Sequence, residues 1–144
     1  MVDDMMKWMA EGGWVMWPIL GLSVVGLAIV FDRLWVFARF FRGRAVADGT
    51  PIERLNRLQR GFGVLSTIIT AEPMLGILGT VTGIIKTFGA FKLSEAASPL
   101  AATAGIGEAL ITTAAGLVAA LVLLFPYNFL LGLLDRAVAK LEKE

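Results

Sequence analysis

From Gly12 to Phe31 the chain reads GGWVMWPILGLSVVGLAIVF, 20 residues without a charged side chain. At about 1.5 Å per helical residue that run crosses a hydrocarbon layer of roughly 30 Å. Backbone polar groups in such a layer must be paired within the chain, which for a single continuous run means a helix. A cleavable leader would need a basic start and a small-residue cleavage site, whereas residues 1–11 carry Asp3, Asp4 and Glu11 against Lys7. The run is therefore expected to stay in the mature protein, with Trp14 and Trp17 in an interfacial aromatic belt and Pro18 within the first turns.

The remainder of the chain agrees. It is 57% hydrophobic and 17% charged, with a mean hydropathy of +0.76, far more apolar than the roughly 45 to 50% apolar, 25% charged average of soluble domains. Gly61 to Ile85 is apolar except for Glu72 before Pro73, and no charge occurs between Glu108 and Asp135. Proline disfavours helical geometry at the residue before it, so a bend or register change is expected near Glu72, with the membrane part at about Met74 to Phe91. Ser98 and Pro99 make an N-cap and first-turn pair for the third helix. The reading is an all-α membrane protein of one domain, with spans at about 14–37, 73–91 and 99–134 and a cytoplasmic segment at about 38–72.

Charge gives the orientation. Arg33, Arg39, Arg42, Arg44, Arg54, Arg57 and Arg60 lie between the first two spans, while the connection from Lys86 to Ala104 holds only Lys86 and Lys92. The positive-inside rule puts the arginines in the cytoplasm, the N-terminus outside and the C-terminal tail inside. With a net charge of +1 and a topology signal accounting for the arginines, no nucleic-acid partner is expected. Neither cysteine nor histidine is present, so disulfides, thiol nucleophiles and imidazole relays are excluded. No nucleotide-binding loop, nucleophile motif or metal-ligand cluster occurs, and neither enzymatic activity nor a cofactor or metal is expected.

Glu108, Thr112 and Thr113 interrupt an otherwise lipid-like segment, GIGEALITTAAGLVAALVLLFPYN. An ionisable group in hydrocarbon costs about 2.5 to 3.5 kcal/mol on insertion scales and faces a bundle interior, a cavity or a partner. At about 100° per residue, Glu108, Ala119, Thr112, Gly105, Gly116, Ala120 and Thr113 fill an arc of about 140°. The bulky residues from Leu110 to Phe125 fill the opposite side. On the second span Gly76, Gly79, Gly83, Thr80 and Thr87 form a matching small and hydroxyl-bearing side, and Gly79 and Gly83 make a GxxxG pair that also suits plain close packing. Counted from Phe91 and Pro99, Thr80 and Glu108 lie about 13 to 17 Å in from the same side. A small-residue face on both inner spans is of use only if something packs there, so a closed homo-oligomer is expected.

PMLGILGTVTGIIKTFGAF at 73–91, followed by GIGEALITTAAGLVAALVLLFPYN at 105–128, resembles the paired signature of the ExbB/TolQ/MotA family of proton-channel subunits. MWPILGLSVVGLAIVFDRL at 16–34 is similar to the first span of its ExbB-like members. The resemblance implies a three-span subunit in a ring, commonly a pentamer, in the bacterial inner membrane, with a pore lined by the second and third spans. A dimer of a single-span ExbD/TolR-like protein would sit in that pore and relay protons on its own carboxylate, driving work through a TonB/TolA-like transducer. The residues matching the family's pore are Glu108, Thr80 and Thr113; Thr112 has no assured role there.

Departures from the family are also visible. The cytoplasmic region is much shorter than is typical, and Glu72 replaces a small residue before the proline. Glu72 is expected in the cytoplasmic headgroup zone, paired with Arg60 or a neighbouring subunit's arginine, the other reading being a place at the pore mouth. Residues 51–65 suit an amphipathic cytoplasmic helix with Ile52, Leu55 and Leu58 on one side, and the methionines of residues 1–9 suit an interfacial segment. Two other functions stay open: a small proton-coupled exporter using Glu108, or a structural scaffold in which a partner supplies a cation to Glu108.

Overall fold

The computed structural model describes residues 13–42, 50–93 and 99–141. The methionine-rich segment, Ser98 and the last residues fall outside this set. Four helices occur among the described residues: α1 (Met16–Phe41), α2 (Pro51–Gln59), α3 (Phe62–Leu93) and α4 (Pro99–Leu141). Three stretches, Met16–Phe41, Ile52–Gly89 and Gly105–Leu141, are long and apolar enough to cross a membrane. Trp14 and Trp17 at the start of α1 are both exposed.

α3 runs without a break through Pro73. The expected change of register near Glu72 is absent, and the helix begins at Phe62. A proline inside a helix frees one carbonyl, which membrane bundles tolerate when neighbouring helices or hydroxyls surround it. Eleven residues of helix, about 16 Å, thus precede Pro73. α4 likewise runs through Pro126.

Packing is unequal along the bundle. At the arginine-rich end Phe37, Phe40, Leu58, Phe62, Leu130, Leu134, Ala137 and Leu141 form one buried cluster, with Val30, Leu65, Ile68 and Leu123 above it. The Phe62 ring meets Phe37 edge-on at 6.4 Å and Tyr127 at 5.9 Å, and Lys140 caps the Phe40 ring. Thr50 and Glu53 form a reciprocal capping box that starts α2. Leu58 then points into the cluster, whereas Ile52 stays exposed. Gly61, at φ +89°, turns the chain between α2 and α3 in a conformation that a side chain would strain. Arg33 ties this corner to α1 by donating to the Arg57 carbonyl at 2.9 Å.

Away from that end, α3 and α4 are joined by a seam of small residues. Going outward, Gly116 meets Glu72 and Gly76, Gly76 meets the backbone of Thr112 and Thr113, Gly79 meets Thr112, Gly83 meets Ala109 and Gly105 meets Thr87. Facing contacts one helical turn apart on antiparallel helices are what a repeated small-xxx-small pattern produces. Leu110, Leu117, Val118, Leu121, Val122 and Phe125 point outward from α4, as their phase requires.

Candidate functional site

The seam has two polar edges. On one, the Thr80 and Thr113 hydroxyls hydrogen-bond each other. Thr113 also reaches the Gly76 carbonyl at 3.0 Å, and Thr80 reaches the carbonyls of Gly76 and Ala109, each at 3.3 Å. Both threonines therefore bridge α3 to α4 through backbone acceptors as well as through each other.

On the other edge is a cleft of about 10 Å³, lined by Glu108, Thr112, Thr82, Lys86, Gly79 and the chain just before α1, about the room a single water needs. Glu108 is exposed. Its Oε1 lies where a Cβ on Gly13 would stand only 3.0 Å away, and Gly13 has φ +67°, so both space and backbone call for glycine. Thr112 is 1% exposed and its hydroxyl reaches the Glu108 carbonyl at 3.2 Å. Thr87 donates to the Gly83 carbonyl at 2.9 Å.

The level expected for Thr80 and Glu108 holds along α3 and α4, since Thr80 Oγ1 touches the carbonyl of Ala109, the residue after Glu108. Within one chain, however, the carboxylate shares its cleft with Thr112, Thr82 and Lys86, while Thr80 and Thr113 occupy the opposite edge. Lys86, placed by sequence in the outer connection, stands on α3 in the same cleft as Glu108.

Glu72 is where the structure departs furthest from expectation. It is 0% exposed, and its Oε1 accepts a 2.7 Å hydrogen bond from Ser23 on α1. It pairs with neither Arg60 nor the headgroup zone, because Ser23 lies eleven residues after Gly12 and eight before Phe31, near the middle of the uncharged run. The early start of α3 explains the error: counting from Pro73 put the acid at a helix end, and counting from Phe62 puts it about 15 Å inside. Sequence signalled Glu72 as an acid in an apolar run but gave nothing to identify its partner.

The model of the MotA/TolQ/ExbB proton channel family matches residues 45–143, which include all of α3 and α4. The chain belongs to the MotA/TolQ/ExbB family. Among its relatives, an ExbB-like biopolymer transport protein of Synechocystis is 30% identical, covering 92% of this chain and 71% of that protein. The ExbB homolog of Methanothermobacter thermautotrophicus is 43% identical over 63% of this chain but only 32% of its own length. Biopolymer transport protein ExbB of Xanthomonas campestris is 36% identical over 71% of this chain and 40% of that protein. The chain thus spans about a third to two fifths of the length of the last two. No solved structure matches. Membership of a proton-channel family, with three long apolar helices, makes this a membrane protein.

Proposed function

We propose that the chain is the channel subunit of a proton-motive-force-driven motor of the bacterial inner membrane, of the ExbB/TolQ type. Several copies would form a ring, commonly a pentamer, around a dimer of a single-span ExbD/TolR-like protein, with a TonB/TolA-like transducer as a further partner. The observation that carries this reading is the α3–α4 seam, which lies inside the matched family region and bears an acid on one edge and a bonded threonine pair on the other. Glu108, Thr80 and Thr113 are the proposed proton-path residues, and Gly76, Gly79, Gly83, Thr87, Thr112 and Gly116 hold the two helices at backbone distance. The arginine-rich end, with α2, is assigned to the cytoplasm.

The test is co-expression with a single-span protein of the ExbD/TolR kind, followed by gentle extraction and native mass measurement. A closed ring that retains two copies of the single-span protein is expected. A monomer or simple dimer that releases it would overturn the reading.

The threonines supply a second check. Thr80→Val and Thr113→Val keep the shape and remove the hydroxyls, and the seam retains its glycine contacts. Each variant is expected to assemble as the wild type does and to lose about tenfold in proton-driven output, about 1.4 kcal/mol of barrier. Full output in both would return the threonines to packing.

Lys86 favours one alternative, a structural scaffold in which an amine within the chain balances Glu108 across the shared cleft. On that reading Lys86→Met destabilises the fold, and Glu108→Gln in the same chain restores it. On the motor reading the Lys86→Met chain folds normally.

A further inference from the structure

Glu72 stands outside the motif residues that the pore reading uses, and it is the buried acid among the described residues. Three observations bear on it. First, its Oε2 is buried without a hydrogen-bond partner, while Oε1 is held by Ser23 at 2.7 Å. A carboxyl that served only to tie α1 to α3 would have both oxygens satisfied, because an unpaired buried polar atom is destabilising by about 1 to 3 kcal/mol.

Second, no charge faces it from any helix packed on it. On α1 the nearest is Asp32, nine residues past Ser23; on α4 it is Glu108, eight residues before Gly116, whose backbone the Glu72 carbonyl touches. On its own helix the nearest is Lys86, fourteen residues on, and Arg60, just before the helix, lies twelve residues before Glu72. At about 1.5 Å per residue these stand about 12 to 21 Å away along the bundle. With no charged side chain of these helices beside it, the acid is neutralised by binding a proton.

Third, Ser23 suits both forms of the acid. Its Oγ lies 2.7 Å from Glu72 Oε1 and 2.9 Å from the Ile19 carbonyl, and a hydroxyl has one hydrogen to give and lone pairs to accept with. With the acid protonated, Glu72 O–H donates to Ser23 Oγ and the serine hydrogen turns to Ile19. When the carboxyl O–H bond breaks, its electron pair stays on the carboxylate and the proton passes to a water; the serine hydrogen then swings to Oε1. Ser23 is also the polar side chain in the lining of an otherwise apolar groove of about 720 Å³ between α1 and α4, beside Ile19, Leu20, Leu110 and Ala114.

We propose that Glu72 and Ser23 form a second proton-binding site of this protein, inside the subunit and independent of Glu108, which exchanges its proton past Ser23 on the α1–α4 side. The inference does not depend on where the pore lies.

Infrared titration of the purified full chain in lipid nanodiscs tests it, comparing wild type with Glu72→Gln, Ser23→Ala and Glu108→Gln. A pH-dependent component of the protonated-carboxyl band is expected that is present in wild type and Glu108→Gln and lost in Glu72→Gln. Ser23→Ala should shift the titration midpoint, since it removes the hydroxyl bonded to Glu72 Oε1. An unchanged band in Glu72→Gln overturns the proposal. Should Glu72→Gln fail to fold, Ser23→Ala decides alone: a shifted midpoint supports the site and an unshifted one overturns it. Loss of the Glu108 pore reading would leave all of these outcomes as they are.

Discussion

Glu108→Ala is expected to abolish energy-dependent function in cells while leaving a folded chain that still binds its single-span partner. The side chain is exposed at the edge of a cleft and fills no core, so truncating it removes a charge and almost no packing. Glu108→Gln keeps the size and the hydrogen-bonding reach, and about a tenfold reduction is expected of it, corresponding to about 1.4 kcal/mol. The measurement is complementation of a deletion strain, run beside co-purification of the same variants. Wild-type function in Glu108→Ala would end the pore reading, and failure to assemble would make Glu108 a structural residue.

The largest structural effect is expected at Gly116. A Cβ there would stand 2.5 Å from the Glu72 carbonyl oxygen, 3.0 Å from Gly76 Cα and 3.1 Å from Gly76 N. All three are backbone atoms, so no side-chain rotation relieves the clash and α3 must move away from α4. Overpacking in a filled interior costs about 1 to 3 kcal/mol, and Gly116→Val is expected to reach or pass the upper end, giving a chain that unfolds in detergent at markedly lower temperature and is quickly digested by protease. Gly107→Val is the matched control: a Cβ at Gly107 meets nothing within 4 Å, so the variant should unfold close to wild type. Equal behaviour of the two valine variants would show that the seam is not what holds α3 to α4.

How far the sequence carried differs along the chain. The helices were legible because their signals are local: uncharged runs for α1 and α4, and the proline that opens α4 at Pro99. The α3–α4 seam was legible as well, because Gly76, Gly79, Gly83, Gly105 and Gly116 fall on one side of each helix by phase alone. Phase does not give the rotation of one helix against its neighbour. That is why Glu108 could be placed at the level of Thr80 but not on the opposite edge from it, beside Lys86 and Gly13. The Ser23–Glu72 bond joins residues 49 positions apart on two helices and has no pattern in either. Reading Pro73 as a boundary then moved the acid to the wrong level. A local rule was outweighed there by the helical backbone on both sides of the proline.

The seam also has a consequence for how a subunit can change shape. Glycine and alanine give up almost no side-chain freedom when they pack, and what binds them is dispersion between backbones, which fades within an ångström of separation. Such a joint is expected to open as a whole, with α3 and α4 moving together. Compliance must then reside elsewhere, on the side where α1 leans on α4 across an open apolar groove. Amide exchange should accordingly be slow together along α3 and α4 and faster in the first three turns of α1.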